Sequence, residues 1–209
     1  MIRKSVFLLL ASFVLVPLHG QDDDNQIKTL FGKQRTNGGY GAFSVGYSQI
    51  NSLNAITMGG RGAWIIGHSL ALGFYGSGFA TDFRVLTADQ SYNLVGGHGG
   101  IFVEPILLPK FPVHLSFPVM AGVGGIAYTI NKQPGFTGNF DGYIQSSTVF
   151  MLAEPGVELE LNLTRWFRFA VGAAYRFTSD VRLNNTDVAI PSDVLKGISG
   201  SVTLKFGKF

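Results

Sequence analysis

Residues Val149–Phe177 read VFMLAEPGVELELNLTRWFRFAVGAAYRF, two alternating runs joined by Asn162-Leu163-Thr164-Arg165. In the first run Met151, Ala153, Pro155, Val157, Leu159 and Leu161 share one face, and Glu154, Gly156, Glu158 and Glu160 share the other. In the second, Phe167, Phe169, Val171, Ala173, Tyr175 and Phe177 lie opposite Arg168, Ala170, Gly172, Ala174 and Arg176. Side chains that alternate with a period of two over this length belong to β-strands. The short polar link makes the pair a hairpin.

Working outward from this hairpin, the same alternation recurs along the chain. Gly38–Ser48 predicts a first strand, with Phe43, Val45 and Tyr47 on one face. Ala55–Gly67 predicts a second, with Ile56, Met58, Trp64 and Ile66 opposite Thr57, Gly59, Arg61 and Ala63. A tight turn at Gly67-His68-Ser69 leads to a third strand marked by Leu70, Leu72 and Phe74. Ala80–Ser91 reads as a longer polar loop. Tyr92–Glu104 follows as a fourth strand, with Val95, Ile101 and Val103 on one face and Tyr92, His98 and Glu104 on the other, where Leu94 and Phe102 also fall. After a turn over Pro105–Pro112, a fifth strand carries Val113, Leu115, Phe117, Val119, Ala121 and Val123 opposite His114, Ser116, Pro118 and Met120. Pro118 has no N–H for a ladder, so a bulge or break is expected there. Asn131–Ser147 and Ser179–Lys196 read as long loops flanking the opening hairpin. Gly197–Phe209 is the eighth strand, with Ile198, Val202, Leu204 and Phe206 opposite Ser199, Ser201, Thr203 and Lys205.

Composition limits what such strands can build. The chain has 209 residues, 46% hydrophobic and 14% charged, with 28 Gly and 18 Phe. A globular domain usually carries about 25% charge, and a chain this poor in charge has little with which to cover a wet surface. After the N-terminus no run of about 20 apolar residues occurs, so no helix is predicted to span a bilayer. The other structure that satisfies every backbone group in lipid is a closed barrel. There is no cysteine, which removes disulfides, thiol chemistry and cysteine metal sites. Met1–Gly20 reads as a cleavable signal segment: Arg3 and Lys4, an apolar centre at Val6–Val16, then Pro17-Leu18-His19-Gly20. Cleavage is expected before Gln21. Loss of Arg3 and Lys4 brings the net charge from +3 to near +1, so the high isoelectric point is no sign of nucleic-acid binding. Gln21–Asn37 is a polar lead-in with an acidic run at Asp22–Asp24.

The direction of the two faces separates a soluble barrel from a membrane barrel. The bulk lies on the apolar faces, at Trp64, Phe74, Phe117, Val157, Phe167, Phe169, Val171, Tyr175, Phe177 and Phe206. The opposing faces are mostly Gly, Ala and Ser with a few charges, and an eight-stranded barrel is narrow inside. The reading is therefore inside out: those ten residues face lipid, and Arg61, Glu154, Glu158, Glu160, Arg168 and Arg176 form an interior network. Its role is structural pairing, since buried charges are costly unless paired. Glu104 is the nearest same-face carboxylate for His98 and His114, so a His–Glu hydrogen bond is the plain expectation for them. Gly96-Gly97-His98-Gly99-Gly100 lacks the lysine and helix of a phosphate loop. No catalytic, metal or cofactor-binding residues are assigned.

The leader, eight alternating segments, compact turns at every second connection, and the ending Ser201-Val202-Thr203-Leu204-Lys205-Phe206-Gly207-Lys208-Phe209 resemble small outer-membrane β-barrels of the OmpA/OmpX type, the Gram-negative outer membrane protein β-barrel domain family. The resemblance implies an all-β, eight-stranded antiparallel up-and-down transmembrane barrel over residues 38–209, in the outer membrane of a Gram-negative bacterium. It implies outer-membrane lipids and the barrel-assembly machinery as partners, and a monomer. Phe209 looks like the terminal aromatic of that group, yet it is out of phase with Val202, Leu204 and Phe206, which leaves its direction open. The expected function is structural or surface-interacting, with Phe136, Phe140 and Tyr143 of the Asn131–Ser147 loop as candidate contacts. A lipid-modifying enzyme of the outer leaflet and a small passive channel are the alternatives.

Overall fold

The computed structural model describes residues 37–87, 90–131, 142–184 and 189–209. The expected leader, the lead-in before Asn37, Phe136 and Phe140 lie outside the described residues.

Ten strands are formed: β1 (Asn37–Ile50), β2 (Leu53–Ile66), β3 (Leu70–Thr81), β4 (Arg84–Thr87), β5 (Gln90–Leu107), β6 (Val113–Ser116), β7 (Val119–Asn131), β8 (Gly142–Asn162), β9 (Phe167–Thr178) and β10 (Gly197–Lys208). Eight of them close a ring. Each strand pairs antiparallel with its sequence neighbour, in the order β1-β2-β3-β5-β7-β8-β9-β10, and β10 returns to β1 from Gly39↔Lys208 to Ser48↔Ser199. The two remaining strands are continuations. β6 precedes β7 on the same rail, and β4 follows β3. The fold is thus the eight-stranded up-and-down barrel that the alternation predicts, with no free edge within the ring.

The break expected at Pro118 is present between β6 and β7. Register is kept across it, since Ser116 faces Glu158 and Val119 faces Pro155. The Pro118 carbonyl still accepts from Gly156 N at 2.8 Å, and Pro105 O accepts from Phe117 N at 2.9 Å. The interruption therefore costs the rail its proline donor and little else.

Two boundaries differ from the sequence reading. Ala80–Ser91 is not a loop but mostly a hairpin: β3 runs to Thr81, bends at Asp82-Phe83, and resumes as β4 against β5. The bend is clasped to β2, where Asp82 N donates to Asn54 O at 2.8 Å and Asn54 Nδ2 donates to Asp82 Oδ2 at 2.9 Å. The alternating Arg84-Val85-Leu86-Thr87 supplies β-formers that the polar flanks masked. Likewise β5 and β8, at 18 and 21 residues, outrun the expected strands, and β8 shortens the loop expected at Asn131–Ser147. The β8 extension lies on the side of the long connections, called here the loop side, while β5 grows at both ends and takes Pro105–Leu107 from the expected turn.

The interior is layered. On the loop side it is apolar: Ile50, Leu53, Phe79, Tyr92, Leu94, Ile126, Tyr128, Ile130, Phe150 and Leu152 form one cluster. The β9–β10 connection folds over it and contributes Val181, Val194 and Leu195, all buried. This corrects the expectation of a lumen filled only by small residues and charges. Two of the large rings fit because they face a glycine in register, Phe79 against Gly96 and Phe150 against Gly124. A Cβ at either glycine would stand 2.5–2.6 Å from the ring's Cζ. On the turn side the interior is ionic.

Candidate functional site: the interior charge network

Strand phase carries the ionisable side chains inward. Arg61, Glu104, His114, Glu158, Glu160, Arg168 and Lys205 are all buried, and each alternates along its strand with more exposed neighbours. Lys205 is the hub. Its ammonium bonds Glu104 and Glu160 and lies 2.9 Å from Glu158 Oε2. Arg61 Nη2 donates to both oxygens of Glu158, at 2.7 and 2.5 Å. Arg168 Nη1 lies 3.3 Å from Glu160 Oε2, and His114 Nε2 lies 3.0 Å from the same oxygen. Tyr40 donates its hydroxyl to Glu104. The cluster holds three carboxylates and three permanent cations, so it is charge-balanced.

Two of these links cross the whole barrel. β2 and β8 stand opposite one another in the ring, and Arg61–Glu158 joins them. β10 and β5 are also opposite, and Lys205–Glu104 joins those. The network is therefore a pair of crossed struts at one level of the lumen. Breaking a buried pair by removing one partner costs about 3–5 kcal/mol, since the other charge is left uncompensated.

A second pair stands apart from the cluster. Arg176 Nε donates to Glu154 Oε2 at 2.7 Å, beside a cavity of about 90 Å3 at mid-height. Small residues line most of this cavity, among them Ser44, Thr57, Ser199 and Ser201. His98 and Tyr75 also face it, with their rings 5.7 Å apart. Neither His98 nitrogen nor the Tyr75 hydroxyl has a hydrogen-bond partner among the described residues. A space of this size has room for about three waters at ~30 Å3 each.

All six residues assigned to the interior from sequence are inward, but in two groups: Arg61, Glu158, Glu160 and Arg168 in the cluster, Glu154 and Arg176 beside the cavity. Sequence reasoning missed Lys205 and Glu104 as members. The six already balanced in charge, so nothing called for another pair, although Lys205 sits in phase with Thr203 and Ser201. The expected His–Glu contact with Glu104 is not formed. His98 lies six residues from Glu104 along β5, roughly 20 Å at ~3.3 Å per residue. His114 instead meets Glu160, its register partner.

The residues assigned outward divide by exposure. Trp64, Phe74, Val157, Val171, Tyr175, Phe177 and Phe206 are exposed, Phe74 at 74%, while Phe117, Phe167 and Phe169 are half-buried among outward neighbours. Aromatics gather at two levels. Trp166, Phe167 and Phe206 stack on the turn side, with centroids 4.8 Å apart for Phe167–Phe206 and 6.1 Å for Trp166–Phe206. Tyr175 and Phe177, 4.6 Å apart, lie on the loop side. Phe209 turns inward, as its phase requires: it stacks on Tyr40 at 5.9 Å, and the Arg168 guanidinium lies 3.9 Å from its ring centroid.

A closed antiparallel barrel with ions inside and large apolar groups outside has the construction of a membrane-spanning β-barrel. No protein-family model matches the sequence, and no curated protein does. In backbone the chain is similar to small outer-membrane barrels. They include the N-terminal β-barrel domain of Pseudomonas aeruginosa OprF (10% identity, TM-score 0.45, covering 83% of this chain and 98% of that one). Ail, the attachment invasion locus protein of Yersinia pestis, is 13% identical at TM-score 0.45, with 83% and 98% covered. Neisserial surface protein A is 10% identical at TM-score 0.47, with 83% and 97% covered. Neither residue roles nor activities are carried across at this level of likeness.

Proposed function

We propose that this chain is an outer-membrane β-barrel of a Gram-negative bacterium, exported by its N-terminal segment and acting as a structural or surface-interacting element and not as an open pore. The outward apolar residues, Val171 and Phe74 among them, would meet lipid, with the two aromatic levels at its two interfaces. Outer-membrane lipids and the assembly machinery would be its partners in that setting, and a monomer satisfies every strand. The observation that carries the closed-lumen reading is Lys205, with three carboxylates around it and struts reaching the opposite wall. An ion following the axis would have to part these pairs and then the apolar layer around Tyr92 and Phe150.

Single-channel recording in planar bilayers tests this. The parent protein should give no steady conductance, and Lys205→Met should not open one, because the apolar layer remains. A stable ohmic conductance from the parent would overturn the closed reading. Among the described residues, His98 and His114 face the interior and His68 lies at the turn-side mouth.

A further inference from the structure

We propose that the turn-side mouth of the barrel binds soluble multivalent oxyanions, carrying phosphates or carboxylates, that approach along the barrel axis. The mouth opens into a recess of about 670 Å3. Among the described residues five ionisable side chains line it, His68, Lys110, Arg165, Arg168 and Lys208, and all five are basic. No carboxylate side chain among the described residues lines it. Arg168 is held from below by Glu160 and covered by Phe209. Lys110, Arg165 and Lys208 make no ion pair with any described residue. Among the described residues these three cations thus face, at most, the α-carboxylate of Phe209. The network beneath is balanced and adds no negative charge to cancel them.

The cations are mounted on fixed supports. Lys110 and Arg165 belong to neighbouring turns that Asn162 ties together: its Nδ2 donates to Phe111 O at 2.7 Å and to Pro109 O at 3.2 Å, and its N donates to Pro112 O at 2.8 Å. Leu163 N and Thr164 N both donate to Phe167 O, at 3.2 and 3.1 Å, which pins the second turn. Lys208 ends β10, and His68 sits in the β2–β3 turn. Like charges held round one recess repel until an anion sits among them, and a cleft lined by one sign concentrates counter-ions. The approach is from water and not from lipid. At the same rim the outward side chains are Leu108, Phe111 and Trp166, all apolar and exposed, while the cations line the axial recess.

The test uses the full chain folded in phosphatidylcholine nanodiscs, titrated with inorganic tripolyphosphate by calorimetry. Saturable binding is expected, weakening as salt rises. Lys110→Ala and Arg165→Ala should each lower affinity by about fivefold, and K110A/R165A/K208A should abolish it. Arg182→Ala, on the loop side, should bind like the parent. Unheated gel mobility reports whether the triple variant is folded, and if it is not, the two single variants carry the test. Absence of binding by the parent, or full binding by the charge-deleted variants, overturns the proposal. So does loss of binding when phosphatidylglycerol enters the discs, which would assign the cations to lipid headgroups.

Discussion

Lys205 shows how much of this interior depends on a single side chain. It is 1% exposed and stands among Glu104, Glu158 and Glu160. Lys205→Met keeps most of the aliphatic volume and removes the charge, so three carboxylates then face two guanidinium groups. The expected cost is about 3–5 kcal/mol, read as a lower urea midpoint for unfolding from vesicles. Adding Glu160→Gln should restore part of it, and a fully additive double variant would show that the two do not interact. Strand phase made the inwardness of these charges legible in the sequence. Their partners were not legible, because Arg61 meets Glu158 across the lumen and not through a neighbouring register. Only the ring order brings β2 and β8 face to face.

At the scale of the strand, glycines on the two faces carry different constraints. Gly73 points inward, and a Cβ there would overlap the carbonyl of Gly62 on β2. Gly76, three residues on, points outward with nothing within 4 Å of a built Cβ. Gly73→Ala should therefore lower stability by about 1–3 kcal/mol through overpacking, while Gly76→Ala should be neutral or slightly stabilising. Equal effects in matched unfolding titrations would mean the faces have been read the wrong way round. Val171 lies midway along β9 between Phe167 and Phe177, and its Arg variant should cost about 2–4 kcal/mol in a bilayer. A Val171→Arg barrel as stable as the parent would remove lipid from that face. The turn-side strand ends were legible because tight turns such as Gly67-His68-Ser69 punctuate them. The loop-side ends were not. There β3, β5 and β8 run on past the length a bilayer needs, through residues that are polar on one side and so look like loop.

For the molecule as a whole, ring closure joins local folding to global stability. Every ring strand is paired on both sides, so partial unfolding exposes two backbone edges at once. Such a barrel should keep its structure in detergent until heated. Unheated protein should migrate differently from boiled protein on a gel, with mostly β circular dichroism before boiling. A single band at both temperatures, from protein that stays soluble without amphiphile, would contradict the membrane reading. The fold class was legible because period-two alternation repeats eight times and composition leaves few charges for a wet exterior. The layered interior was not. Tyr92 and Leu94 fall on the Glu104 face in the sequence, but Ile126 and Tyr128 lie beyond Val123, the last residue that marks the fifth strand there. The layer is admitted by glycines opposite some of its members, Gly96 opposite Ile126 and Phe79 and Gly124 opposite Phe150, and by a cover from Val181, Val194 and Leu195, both of which depend on distant segments.

The β1–β10 seam joins residues 39–48 to residues 199–208. In a chain that emerges from its N-terminus, the first described strand is thus also the last to find its second mate. Until the final dozen residues arrive, the nascent sheet has two open sides and an oily exterior, a species prone to sticking to its own kind. If the chain is exported as proposed, any escort through the water between membranes would have to shield it for almost its full length.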